Sequence, residues 1–294
     1  MKPNQLKAFV AVSTHLSIRG AAQALGVSPP AVTKIMRELE LELGAPLIER
    51  SVKGVELTEC GTALVPRARL LLDDMRRTRE EIAQIRDGTT GQLRIAISAA
   101  FAQTLLVPAF RALRARRPGV AVHLSESGLS GMLARLREAQ LDFAITHIDP
   151  EVLDGEFECL PLFPVRLVVV ARSRHPLRKC RHVRDLLQAE WALPGDGSAQ
   201  WAASVKLFSS LGLPMPARVV HGDSVTAALA LISQMDLLGF FAETLANQVA
   251  KTYGIRALEL DDTLPTLQVC VIHRRGSALT PAALDFIRCV QDLA

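Results

Sequence analysis

The chain has 294 residues, of which 49% are hydrophobic and 22% are charged, and its formal net charge is +4. This length supports two or three compact domains with buried cores, and the apolar content excludes a disordered chain. The net charge alone does not indicate nucleic-acid binding, so the distribution of charge has to be considered. Five scattered cysteines without a Cys-x-x-Cys pair predict reduced thiols, with no zinc site and no redox couple.

The sequence shows no sign of export or membrane insertion. Its first residues lead directly into an amphipathic pattern without the apolar core of a signal peptide. No apolar stretch is long enough to cross a bilayer as one helix. The sequence therefore predicts a cytoplasmic protein without membrane contact, which weighs against an exported solute-binding protein.

Three short helices are predicted at the N-terminus. A first helix spans residues 5–15, a second follows Ser17 as N-cap and ends at Gly26, and a third begins at Ser28 with two prolines in its first turn. The apolar residues of the third helix face inward and are Val32, Ile35, Met36 and Leu39. Helices with this spacing and a glycine in the turn indicate a helix-turn-helix, although an ordinary helical hairpin would also fit.

The charge of this segment favours a polyanionic partner. Every charged residue before Glu38 is basic, and these residues are Lys2, Lys7, Arg19, Lys34 and Arg37. An acid-free flank of this kind attracts the phosphates of DNA. The joint pattern from Ser17 to Glu40 thus predicts a recognition helix that docks in the major groove.

The next segment predicts a β-hairpin wing and a long helix. Residues 46–58 alternate like two strands around Lys53-Gly54, and Thr58 suits an N-cap for a helix over 59–87. Apolar residues recur in that helix at steps of four and three, interrupted by Thr78: Leu64, Ala68, Leu71, Met75, Ile82 and Ile85. Such a seam predicts a dimerisation helix, although a helix packed on its own domain would also fit.

From Leu93 onward, strand-like and helix-like stretches alternate, which indicates βαβ units with parallel strands. The second set begins with a strand over 166–171 and a helix over 183–188. The last strand and helix, over 267–273 and 281–293, are expected to return to the first set. We therefore expect two α/β lobes that are joined by two crossovers and separated by a cleft.

The joint pattern resembles the LysR-type transcription regulators over essentially the full length. The matching residues are concentrated at the front: Ser17, Ala21-Ala22, Leu25, Val27-Ser28, Pro30-Ala31, Thr33, Ile35, Leu39-Glu40, Leu43-Gly44, Pro46-Leu47, Arg50, Leu57-Thr58 and Gly61. One departure is Pro29, where the family commonly has Gln, so a contact made there by relatives must be missing or replaced.

The resemblance implies a fold, an assembly and a set of partners. The fold is α/β, with an all-α winged helix-turn-helix before a two-lobed domain similar to periplasmic binding proteins. The assembly is a homodimer or homotetramer on partly palindromic promoter DNA, with a small-molecule effector and RNA polymerase as further partners. The expected domains are 1–58 for DNA binding, 59–90 for the dimerisation helix and 91–294 for the effector, with lobe I over 91–163 and 266–294 and lobe II over 164–265.

The predicted DNA contacts lie on the third helix and the wing. Lys34 and Arg37 suit guanine edges or phosphates, and Ala31 and Thr33 suit thymine methyl groups. Further predicted contacts come from the start of the helix and from the wing, and they are Ser28, Pro30, Arg50 and Lys53. An arginine at the base of a wing also suits an ion pair that holds the fold, so the role of Arg50 stays open.

The predicted effector contacts lie at strand ends and helix starts, where ligands bind in open α/β sheets. They are Ser98, Ala100, Phe101, Ser127, Thr146, Trp201, Ser224 and Phe241. Hydroxyls and free amides suit a small organic anion, and the aromatic residues suit an aromatic or apolar body. Each of these residues singly also fits a helix cap or a core position.

Three rival functions use the same part of the chain differently. An enzyme would recruit Ser127, His147 or His221 with Asp223, but no nucleophile-elbow motif supports it. A metal site would use His175, Cys180 and His182, whose spacing is loose. A DNA-binding protein without an effector would use its C-terminal region for assembly alone. The sequence favours none of these, and we predict no enzyme activity, no metal and no cofactor.

Overall fold

The computed structural model describes residues 1–51, 54–87, 90–195 and 198–293. The chain forms two compact units. The first comprises Met1–Ala83 and the short segment Arg137–Gln140, and the second comprises Gln84–Leu136 and Leu141–Ala294. All five cysteines are free thiols. In the part of the chain that is described, no helix is both long and apolar enough to span a membrane.

The first unit contains the three predicted helices, the two wing strands and most of the long helix. Ser17 Oγ accepts a hydrogen bond from the amide of Gly20, and Gly26 ends the second helix in a left-handed conformation with φ of 66°. The elements are α1 (Pro3–His15), α2 (Ile18–Leu25), α3 (Pro29–Leu43), β1 (Ile48–Ser51), β2 (Gly54–Leu57) and α4 (Glu59–Asp87).

One apolar core and a few polar contacts fix α3 and the hairpin in place. Val32, Met36 and Leu39 of α3 are fully buried against α1 and α2, whereas Ile35 is half-buried. Glu40 Oε1 accepts hydrogen bonds from the amides of Leu47 at 2.8 Å and Ile48 at 3.3 Å. The end of α3 is therefore tied to the start of the wing.

The apolar seam of α4 divides into two parts. Thr58 Oγ1 caps the helix by accepting from the amide of Gly61 at 3.0 Å. Ala68 is buried in the core of the first unit, and Leu64 packs against that core. By contrast, Ile82 and Ile85 leave 62% and 72% of their surface exposed. The first half of the seam thus packs on its own unit, while the second half is uncovered within one chain.

The second unit is built on a continuous mixed sheet with two groups of strands. Its order is β4-β3-β5-β11-β6-β9-β7-β8, with β10 beside β6. The strands are β3 (Thr90–Ile97), β4 (Gly119–Glu126), β5 (Phe143–Ile148), β6 (Phe157–Arg172), β7 (Glu190–Leu193), β8 (Arg218–His221), β9 (Leu237–Ala242), β10 (Ile255–Ala257) and β11 (Thr266–Arg274).

Strand β6 belongs to both groups. Its residues 157–166 pair with β11, and its residues 167–172 pair with β9 and β10. The last strand, β11, also pairs with β5, so the chain returns to the group that β3 began. The unit therefore has two lobes: the first contains β3, β4, β5 and β11, and the second contains β7, β8, β9 and β10.

Helices cover these strands, and those in the described residues are α5 (Ala99–Thr104), α6 (Leu106–Arg116), α7 (Leu129–Arg137), α8 (Ala199–Ser210), α9 (Val225–Gln234), α10 (Glu243–Tyr253) and α11 (Pro281–Gln291). The predicted helix over 183–188 is wrong, because Val183–Leu186 forms only a 3-10 turn before β7 begins at Glu190. The prediction also omitted α5, α10, β10 and the first half of β6.

Gly61 is expected to be essential for packing α4 against the wing. A Cβ at this position would lie 2.1 Å from the carbonyl oxygen of Leu47, a backbone atom that cannot turn away. We expect Gly61→Ala to destabilise the first unit by about 1–3 kcal/mol through overpacking. Urea unfolding followed by circular dichroism measures this loss. The control is Gly155→Ala, whose Cβ would meet no heavy atom within 4 Å, and equal midpoints for both variants would contradict the prediction.

Candidate functional site

The N-terminal half of α3 forms a polar surface above the buried core. Ser28, Pro30, Lys34 and Arg37 are exposed, and Ala31 and Thr33 are half-buried. On the opposite side of the helix, Val32 and Met36 are buried. Ser28 occupies the N-cap position, but its side chain makes no capping hydrogen bond. Its hydroxyl is therefore available to an external acceptor such as a phosphate.

The wing is described only in part. β1 and β2 pair antiparallel from Ile48↔Leu57 to Ser51↔Gly54. The predicted contact Lys53 lies outside the described residues, and so does the side chain of Arg50. The amide of Val55 donates to the carbonyl oxygen of Leu16 at 3.1 Å, which fixes the second strand against the end of α1.

A second candidate site is a cavity of about 490 Å³ between the two lobes of the second unit. The first lobe supplies the ends of β3, β4 and β5, and the second lobe supplies the ends of β7 and β9. The first turns of α5, α7, α8, α9 and α10 complete the lining. This position, beyond strand ends and at helix starts, is where open α/β sheets bind ligands. The volume suits a small organic molecule.

Three of the lining serines are helix caps. Ser98 Oγ accepts from the amide of Phe101 at 3.4 Å, Ser198 Oγ from the amide of Trp201 at 3.0 Å, and Ser224 Oγ from the amide of Ala227 at 3.2 Å. By contrast, Ser127 Oγ is buried and has no hydrogen-bond partner among the described residues. A buried hydroxyl without a partner is costly, so Ser127 offers unused hydrogen-bonding capacity at the cavity wall.

His147 lies in the cavity wall as a neutral side chain. Only 2% of its surface is exposed, and its Nδ1 lies 3.3 Å from Ser98 Oγ. Burial lowers the pKa of His147 to about 4, because the charged imidazolium is poorly solvated there. At neutral pH this histidine therefore contributes hydrogen bonding but no positive charge.

Two carboxylates lie in the cavity lining. Glu126 is the last residue of β4, three residues before α7 begins, and Asp223 precedes Ser224, the N-cap of α9. Asp223 Oδ1 accepts from the amide of Gly195 at 3.2 Å. Among the lining residues that the structure describes, none is Arg or Lys. From the sequence, neither acid is assigned to the effector, and Asp223 is considered only as part of the enzyme alternative.

The comparison with protein families identifies both units. Residues 3–62 match the bacterial regulatory helix-turn-helix proteins of the lysR family, and residues 86–294 match the LysR substrate binding domain. The chain belongs to the LysR family. The resemblance drawn from the sequence is confirmed, and so is the combination of a helix-turn-helix with a two-lobed α/β domain. Proteins of this family are transcription regulators and not enzymes.

Individual relatives agree with this assignment. The chain is 29% identical to the HTH-type transcriptional regulator GbpR of Azospirillum brasilense over 86% of its own length and 75% of that protein. It is 24% identical to TdcA of Escherichia coli K12 over 99% of its length and 93% of that protein. Among solved structures, full-length CbnR in complex with its target DNA superposes with a TM-score of 0.70 at 24% identity, with both chains fully covered.

Six of the eight predicted effector contacts of this LysR-family protein line the cavity. They are Ser98, Ala100, Ser127, Thr146, Ser224 and Phe241. Phe101 does not, because its side chain is fully buried in the core beneath α5. Trp201 is absent from the lining and packs edge-on against His221, with ring centroids 5.2 Å apart. Lining residues that were not predicted include Leu129, Leu193, Gln200 and Leu245.

The histidines considered for a metal site or an enzyme make ordinary local contacts. His175 accepts from the amide of Leu177 at 3.0 Å through Nδ1, and its Nε2 lies 3.2 Å from the carbonyl oxygen of Asp236. His182 Nδ1 lies 3.7 Å from Asp262. Within the described residues, no group of three or more His, Cys, Asp or Glu is placed to hold a metal. His147, the histidine of the cavity, lies beside Ser98 and not beside a predicted nucleophile.

His147 predicts a specific pH dependence of stability. Its pKa is about 4 in the folded protein, against about 6.5 in an unfolded chain. Below pH 6.5 the unfolded chain gains a proton that the folded protein does not, so stability falls as the pH drops towards 4. The whole effect is on the order of 3 kcal/mol.

Urea midpoints between pH 4 and 7 measure this effect for the wild type and for His147→Gln. Other groups titrate in the same range, so the informative quantity is the difference between the two proteins. We expect the urea midpoint of His147→Gln to rise relative to that of the wild type as the pH falls. Parallel curves would show that His147 is not held neutral.

Proposed function

We propose that this LysR-family regulator inserts the N-terminal half of α3 into the major groove of promoter DNA. The observation that carries the proposal is the exposed surface of the N-terminal half of α3, which has no acid before Glu38 and lies above a core that fixes its orientation. CbnR, which has a similar fold, was crystallised with its target DNA. A cytoplasmic location is part of the proposal, because the promoter is there.

The side chains of this surface suggest separate roles. Lys34 and Arg37 lie one helical turn apart and reach guanine edges or phosphates, while Ala31 and Thr33 face thymine methyl groups. Ser28 and Pro30 lie at the helix start, where the free hydroxyl of Ser28 suits a phosphate. Arg50 and Lys53 of the wing are proposed to grip the adjacent backbone. Pro29 offers neither a side-chain amide nor a backbone donor, so base preference rests on Thr33, Lys34 and Arg37.

The cavity between the lobes is proposed as the effector site. A ligand that contacts both walls stabilises the closed arrangement of the lobes, which changes the spacing of the paired DNA-binding units. We propose the division into residues 1–58 for DNA binding, 59–90 for dimerisation and 91–294 for the effector. RNA polymerase is the proposed partner that responds at the promoter to the altered spacing of the DNA-binding units.

Assembly is proposed to use the uncovered half of the α4 seam. Ile82 and Ile85 expose apolar surface that a second α4 would bury. Paired α4 helices give a dimer, and a pair of dimers gives the tetramer that matches two half-sites. The charged residues between the apolar positions keep this helix soluble until it pairs.

Lys34→Ala is expected to weaken binding to the operator by about 1–3 kcal/mol. The operator is first recovered by selection from random duplexes, and affinity is then measured against salt concentration by fluorescence anisotropy. If Lys34 contacts a phosphate, the loss is equal on all duplexes and the salt slope falls by about one; if it reads a base, the loss is confined to the matched site. Lys251→Ala, which removes an exposed lysine of α10, is the matched control. If Lys34→Ala binds every duplex with unchanged affinity, Lys34 does not contact the DNA.

Ile82→Glu is expected to dissociate the α4 pair, because it places a carboxylate in the apolar seam. Sedimentation velocity should show a shift from the assembled protein towards smaller species. As a control, Val152→Glu alters another exposed apolar side chain, which leaves 52% of its surface accessible outside α4. The same mass distribution for Ile82→Glu and wild type would contradict dimerisation through this seam.

A further inference from the structure

The described walls of the proposed effector cavity contain two acids and no Arg or Lys. Glu126 comes from the first lobe and Asp223 from the second, and both line the same space. Four other acids of this unit are paired with arginine: Asp142 with Arg94, Asp285 with Arg117, Asp236 with Arg172 and Glu243 with Arg166. Within the described residues, neither Glu126 nor Asp223 has such a partner.

The remaining polar groups of the lining do not supply the missing charge. His147 is neutral at physiological pH because burial lowers its pKa to about 4. Ser98, Ser198 and Ser224 already cap helices. Residues 196–197, between Gly195 and Ser198 in the chain, are Asp and Gly in the sequence, so they add no cation.

The two acids also disfavour an anionic ligand. Asp223 adjoins Ser224, the N-cap of α9, whereas Glu126 lies three residues before α7 begins. An anionic ligand in the cavity would approach both carboxylates, whose side chains are exposed. Such a ligand is opposed by like charge from both lobes.

We propose that the effector carries a protonated amine, which Glu126 and Asp223 bind from opposite lobes. This inference rests on the cavity being the effector site, as proposed above. A protonated amine donates up to three hydrogen bonds, so it can bridge two carboxylates at once. The bridge joins the lobes, which gives the ligand a direct means of favouring closure.

The rest of the lining accommodates the body of such a molecule. Leu129, Leu193, Phe241 and Leu245 form apolar surface that suits a hydrocarbon side chain. Ser127 Oγ, which is buried and has no partner among the described residues, offers a further hydrogen bond. An amino acid and a simple amine share the recognised group, and they differ in whether a carboxylate is also required. This proposal differs from the expectation drawn from the sequence, which was a small organic anion with an aromatic or apolar body.

The test compares four pools of compounds by thermal shift of the full-length protein. The pools are α-amino acids, the same carbon skeletons as carboxylic acids without the amine, the same skeletons as primary amines without the carboxylate, and neutral aldoses. We expect stabilisation by members of the amine-bearing pools and none by the matched carboxylic acids. Stabilisation by amino acids alone identifies a zwitterion, whereas equal stabilisation by primary amines shows that the ammonium group suffices.

The strongest amine-bearing compound is then titrated by calorimetry against Glu126→Gln and Asp223→Asn. Each substitution removes one charge and keeps the shape of the side chain, and the amide that replaces the Asp223 carboxylate still has an oxygen that can accept from Gly195. We expect each variant to bind at least about tenfold more weakly, as the loss of a charge-assisted hydrogen bond implies. Glu151→Gln, which alters an exposed acid outside the cavity, should leave the affinity unchanged.

The outcomes distinguish a failure of the amine proposal from a failure of the proposed effector function. Stabilisation by carboxylic acids or aldoses alone contradicts the amine and leaves an effector-controlled regulator standing. Undiminished affinity for the amine in both acid variants also overturns the inference. If no pool stabilises the protein, the effector role of the cavity fails together with the amine, while DNA binding through α3 is judged separately by Lys34→Ala.

Discussion

The second unit depends on the antiparallel ladder between β6 and β11. β11 lies between β5 and β6, so residues near the end of the chain complete the first lobe that β3 began. β6 leaves this ladder at Arg166 and pairs with β9 from Leu167 onward. The lobes are thus joined by hydrogen-bonded strand and not by a loose loop. A ligand that contacts both walls of the cavity therefore acts on two lobes that hydrogen-bonded strands already connect.

The same ladder explains why the first half of β6 escaped prediction. Pro161 and Pro164 interrupt its pattern, and proline normally argues against a strand because it cannot donate to a neighbour. In the fold, residues 157–166 have β11 as their neighbouring strand, and the register shifts between Val269 and Cys270, opposite the segment that contains Pro161. An edge position and a bulge are two of the places where a strand tolerates proline. The local sequence shows the prolines, but it does not show where the strand lies in the sheet.

The first unit could be predicted in more detail because its signals are local. Ser17, Gly26 and Thr58 begin or end helices by contacts to residues within a few positions, and the structure shows those contacts. In the cavity, by contrast, similar signals were ambiguous. Phe101 and Phe241 both lie near the end of a strand and both pack in the core, yet only Phe241 also lines the cavity. Nothing in their immediate neighbours distinguishes them, because the difference depends on which layer covers each side chain.

The proposed DNA-binding surface and the proposed effector cavity differ in how far charge in the sequence indicates the partner. DNA presents the same sign of charge along its length, so an acid-free stretch before Glu38 is enough to indicate it from sequence. A small ligand does not require a long stretch of sequence with one sign of charge. Taken singly, Glu126 and Asp223 are ordinary exposed acids, one at the end of a strand and one just before a helix. Only the fold brings them to one cavity, whose described lining contains no Arg or Lys, and we propose that the two acids together bind positive charge there. The identity of the effector is therefore a property of the tertiary arrangement, even though the lobes that hold it are evident from the pattern of strands and helices.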